Sequence, residues 1–101
     1  MVLPIAIESS TKRLFPNLQP EQAIVELLLE RAQKNIIKYQ TAAREFETKY
    51  SQNFETFRKK ILSSKPDSAT EQDYFDWELA VTGIADMKDE IKRLKALQKK
   101  P

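Results

Sequence analysis

The sequence has no cysteine, no histidine and a single glycine among 101 residues. Without cysteine there are no disulfides, no thiol nucleophile and no thiolate metal site, a composition that fits a reducing compartment. Without histidine there is no imidazole base, no histidine-dependent triad and no His-ligated metal. One glycine cannot build a glycine-rich phosphate loop. With only five prolines beside it, little material remains for the tight turns of a sheet-rich fold. No run of about 18 apolar residues occurs, so no membrane-spanning helix is expected. The N-terminus MVLPIAIESS lacks the basic leader of a secretory signal. These absences argue against an enzyme and against a bound cofactor, and they point to the cytoplasm.

What is present is charge and helical periodicity. Charged residues make up 32% of the chain and hydrophobic ones 41%, with a net charge of +2. So small an excess of base does not call for nucleic acid. Residues 1–19 stand apart as an N-terminal arm. Val2 to Ile7 is apolar and β-branched around Pro4, which reads as an edge strand or an extended arm. Ser9, Ser10 and Thr11 offer a cap for a single turn ended by Pro16, and 16–20 reads as a turn.

Residues 20–101 form the second unit. Pro20 suits the first position of a helix, and no glycine or proline follows until beyond Leu62. Ile24, Leu28, Ala32, Ile36, Tyr39, Ala43, Phe46, Tyr50, Phe54, Phe57 and Ile61 recur at helical steps. The spacing predicts one helix over about 20–62, roughly 60 Å long, with a coiled-coil seam from Ile36 to Phe57. Its weakest stretch is Ser51-Gln52-Asn53, where a kink or break would fall. Residues 63–69 (SSKPDSA) read as a loop. A second helix follows over about 70–99, opened by Thr70 with Asp73 as a capping box. Its stripe is Trp77, Ala80, Val81, Ile84, Met87, Ile91, Leu94 and Leu97.

Two such stripes joined by a short loop predict an all-α fold: a long antiparallel two-helix hairpin, coiled-coil-like, with a short N-terminal arm. A turn centred near residue 66 sets the register. Phe57 then lies level with Trp77, Phe54 with Ala80, Tyr50 with Gly83, Phe46 with Met87 and Tyr39 with Leu94. The expected core is Tyr39, Phe46, Tyr50, Phe54, Phe57, Trp77, Gly83, Ile84, Met87, Ile91 and Leu94. In this register Leu97 reaches only Ile36, so 20–35 overhangs with no partner in its own chain. Ile24, Val25, Leu27, Leu28 and Leu29 are apolar over more than one stripe, and with Ile5 and Ile7 of the arm they form the expected interface. The chain is therefore expected to self-associate as a homodimer or higher oligomer, burying about 800 Å² per partner.

Three constellations have a chemical reading beside a plain one. Asp73, Asp76 and Glu55 could meet around a divalent cation; without histidine they are better read as helix-capping and solubilising acids, so no metal is assigned. Trp77 could anchor a partner, and fits better as an aromatic plug against Phe54 and Phe57. Arg58, Lys59, Lys60 and Lys65, and Lys92, Arg93, Lys95, Lys99 and Lys100, could touch phosphates. Nearby acids make them mixed-charge faces, with i,i+4 pairs such as Glu55–Lys59 and Asp89–Arg93. A ribbon-helix-helix DNA reader would need a polar strand face, which Val2 to Ile7 lacks.

KYSQNFETFRKKI (Lys49–Ile61) followed by DYFDWELAVTGIADMKDEIKRL (Asp73–Leu94) resembles a group of small prokaryotic helical proteins, many of them the antitoxin side of two-gene toxin–antitoxin modules. Their pattern is K-Y-G-x-S-F-x-x-F, a variable loop, then D-x-x-D-W-E. The matching positions are Lys49, Tyr50, Phe54, Phe57, Asp73, Asp76, Trp77 and Glu78; Ser51 stands where the pattern has Gly, and Asn53 where it has Ser. The resemblance covers about 20–97 and implies a non-enzymatic protein that binds a partner toxin. The residues themselves speak for a protein-interaction module. A purely structural homo-oligomer and a weakly basic nucleic-acid-binding regulator are the alternatives.

Overall fold

The computed structural model describes residues 3–98. It is all α-helical, with four helices in order: α1 (Ile5–Leu14), α2 (Pro20–Tyr50), α3 (Phe54–Leu62) and α4 (Ser68–Gln98). The molecule is a rod of 57 × 24 × 21 Å. Its radius of gyration is 19.4 Å, against about 13 Å for a compact domain of similar length.

The arm is a helix where a strand or extended segment was expected. Pro4 precedes α1 with extended dihedrals, and its carbonyl accepts the Glu8 N–H at 3.0 Å. Proline fits there because the first turn's N–H groups have no helical acceptor. Ala6, Glu8, Lys12, Arg13 and Leu14 are good helix formers, and Glu8 and Lys12 pair at i,i+4 (3.3 Å). They outweigh the β-branched Ile5 and Ile7. The Thr11 hydroxyl donates to the Glu8 carbonyl at 2.8 Å. Phe15, before Pro16, leaves the helical region and ends α1. Met1, Val2 and residues 99–101, with Lys99 and Lys100 among them, lie outside the described residues.

The expected 20–62 helix is two helices. Ser51 adopts the left-handed conformation (φ 53°, ψ 39°) and ends α2. Asn53 then caps α3, its side-chain oxygen accepting the Thr56 N–H at 2.9 Å. The cap of α4 also moves. Asp67 accepts the Thr70 N–H at 2.7 Å, so α4 starts at Ser68 and Thr70 lies inside it. That bond to a backbone donor holds the Asp67 carboxyl below its ordinary value.

α2 and α4 run in opposite directions along each other, in a register that corrects the expected one. Glu26 is bonded to Gln98 (2.6 Å), Leu29 packs with Leu94, Tyr39 lies on Gly83, and Lys49 meets Asp73 (2.5 Å). Tyr50 therefore does not face Gly83, nor does Tyr39 face Leu94. The shift arises because the chain breaks at Ser51 and spends α3 on the return, so the turn-around lies earlier than residue 66. α4 consequently reaches the start of α2, and much of the expected overhang is covered.

Two clusters fill the rod. One is aromatic, around Ala43, Phe57, Tyr74, Trp77 and Ala80. The other joins Leu29, Ala32 and Leu94, with Met87 and Ile91 packed against them.

Candidate interaction surface

Trp77 is fully buried and ringed by aromatics. Its centroid lies 5.4 Å from Phe54, 5.1 Å from Phe57, 5.7 Å from Phe46 and 6.1 Å from Tyr50. These separations suit offset and edge contacts. Its indole N–H is buried without a hydrogen-bond partner. Ile84 packs against the same cluster.

The acids around the tryptophan are engaged separately. One Asp73 oxygen accepts from the Lys49 ammonium and from the Tyr50 hydroxyl, each at 2.5 Å. The ammonium bond, then the phenol bond, hold the Asp73 carboxyl below its ordinary value. The same carboxylate keeps Lys49 protonated to higher pH. Burial, and then the bond to Asp73, push the Tyr50 phenol up. Asp76 accepts from Gln72 (2.9 Å), and Glu55 lies 3.9 Å from Arg58. Asp73, Asp76 and Glu55 thus have different partners, and no group of three or more acids among the described residues is placed to hold a metal. The ion pairs expected for Glu55 and Arg93 shift by one position, to Glu55–Arg58 and Glu90–Arg93.

The apolar residues expected at the interface divide. Leu29 is buried against Leu94, at 6% exposure, because α4 extends over it. Ile24 and Val25 are half-buried. Ile5 (83%), Ile7, Leu27 and Leu28 (51%) remain exposed. Leu14 (75%), Leu18 and Leu97 are also exposed, and the sequence reading did not single them out as interface. For Leu14 the signal was available: Ile7 and Leu14 stand seven positions apart, on one flank of a helix once 5–14 is helical. A cavity of about 510 Å³ lies where the end of α1 meets α2, lined by Phe15, Leu18, Glu26, Leu29, Glu30 and Gln33. Of the exposed large apolar side chains, Ile5, Ile7 and Leu14 lie on α1, Leu18 on the connection to α2, Leu27, Leu28 and Ile37 on α2, Leu62 on α3, and Phe75, Leu79 and Leu97 on α4.

No helix among the described residues is long and apolar enough to cross a membrane. No protein-family model, curated protein or solved structure matches the chain.

Proposed function

We propose that the protein is a non-enzymatic interaction module: an α2–α4 hairpin with a coiled-coil-like seam that self-associates and offers its α1 end to a partner protein. The observation that carries the reading is the exposure of Ile5, Ile7 and Leu14 on α1, with Leu18 on the connection to α2 and Leu27 in its first turns. Large apolar side chains left in solvent on one short helix of a charged rod mark a binding surface. α1 packs on α2, buries Thr11 and leaves Ile7 and Leu14, seven positions apart on one flank, exposed; such an element lays an apolar flank into a partner's groove. The resemblance of Lys49–Phe57 and Asp73–Glu78 to antitoxin-side proteins supports a small toxin as that partner, held or masked in the cytoplasm.

Co-expression with the product of the adjacent gene tests this. A stable complex that lowers the neighbour's toxicity is expected. Separate elution, with full toxicity retained in the presence of this chain, overturns the toxin reading.

A further inference from the structure

The flank of α2 that carries Glu26, Glu30 and Gln33 faces Phe15 and Leu18 of the α1–α2 connection. A different flank of α2 opens with α4 into a second groove of about 180 Å³. Leu28, Ala32, Met87 and Leu94 give it an apolar lining, with Arg31 on its α2 side and Glu90 on its α4 side. Arg31 makes no ion pair among the described residues. Glu90 holds Arg93 on one oxygen at 2.5 Å, and its other oxygen has no side-chain partner among the described residues. One apolar groove therefore carries an unused cation on one rim and an available carboxylate on the other.

We infer that this groove takes a second copy of the same chain, through reciprocal Arg31–Glu90 pairs around a twofold axis parallel to the helices. The inference rests on the self-association proposed above and specifies its face and orientation. A twofold contact must be self-complementary. Opposite charges on the two rims satisfy that condition when each α2 lies over the other copy's α4. Arg31 then meets Glu90 of the partner copy, Glu90 meets Arg31 of the partner copy, and the apolar linings close between them. An axis perpendicular to the helices would lay α2 on α2 and set Arg31 against Arg31, which like-charge repulsion disfavours. The two rods therefore lie with the same ends together.

Sedimentation equilibrium of the full chain over a concentration series tests this with R31E and E90R, separately and mixed in equal amounts. The R31E chain carries acid on both rims and the E90R chain base on both, so each repels its own copies and matches the other. The wild type should dimerise, each variant alone should dissociate about tenfold or more readily, and the mixture should regain wild-type dimerisation. R31Q and E90Q should weaken the dimer less and gain nothing on mixing. Circular dichroism establishes that each variant is helical. A dimer that tolerates R31E and E90R, or a mixture of helical variants that fails to recover, overturns this face while leaving self-association standing. A wild type that stays monomeric overturns both.

Discussion

Gly83 lies directly under the ring of Tyr39: a Cβ at this position would sit 2.7 Å from three of its ring carbons. Contacts that close are not tolerated, so α4 can pass Tyr39 only with hydrogen here. In an unconstrained helix Gly→Ala would add about 1 kcal/mol of stability. Here G83A is expected to lower stability by about 1–3 kcal/mol, the usual cost of overpacking. With Y39A in the background the obstruction is gone, and G83A should become neutral or stabilising. Urea unfolding of the four chains, followed by Trp77 fluorescence, measures the change of sign.

Ser51 ends α2 at φ 53°. A non-glycine residue pays roughly 1 kcal/mol or more for that region, and glycine does not. S51G should therefore raise stability by about 0.5–1 kcal/mol, since the helix already stops there. A shift of the urea midpoint to higher concentration checks it. S51A, which has the Cβ without the hydroxyl, should give no such gain.

Asp73 ties α4 to the end of α2 through Lys49 and Tyr50. D73N should cost about 1.5–3 kcal/mol, the range for hydrogen bonds to a charged group. The pH dependence follows from the directions of the shifts. Asp73 is depressed below its ordinary 3.8, so its contribution is complete above that value and is lost as pH falls through the lower native one. Lys49 and Tyr50 are raised above 10.5 and 10.0. Their contributions are complete below those values and are lost as pH rises through the native ones. The stability difference between wild type and D73N should therefore be flat near neutral pH and shrink at both extremes, as read from urea midpoints across pH.

Trp77 gathers the aromatics of α2, α3 and α4. W77A should cost about 3–5 kcal/mol or leave the chain unfolded. W77F should cost less, because it also removes the buried indole N–H that has no acceptor. Thermal melts by circular dichroism rank the three chains.

The helical class was legible because the apolar residues of α2 and α4 recur at helical steps, with no glycine or proline between Glu21 and Leu62 and Gly83 as the one interruption in α4. The aromatic plug was legible because Phe54, Phe57 and Trp77 stand at helical spacing on either side of one loop. The register was not. It turns on Ser51 adopting a left-handed conformation, which serine seldom does, and on nine residues of α3 being spent on the return. The expected register set Gly83 against Tyr50, and the structure sets it against Tyr39. α1 was missed because its isoleucines argue locally for a strand, while its helix formers and the Glu8–Lys12 pair act together only once it is helical. The exposure of the apolar residues early in α2 was half legible: Leu28 is exposed, whereas Leu29 is buried by the part of α4 that the expected register placed elsewhere.

The central claim is that the exposed apolar side chains of α1 form a binding surface for another protein. Its most direct test is co-purification of the adjacent gene product with the wild type and with I5D/L14D, both substitutions lying on α1 outside the Arg31–Glu90 groove. Trp77 fluorescence monitors the fold, since neither position touches the aromatic cluster. The account predicts that the wild type retains the partner and that the double variant, folded to the same degree, releases it. A wild type that retains nothing, or a double variant that retains the partner equally well, would contradict it.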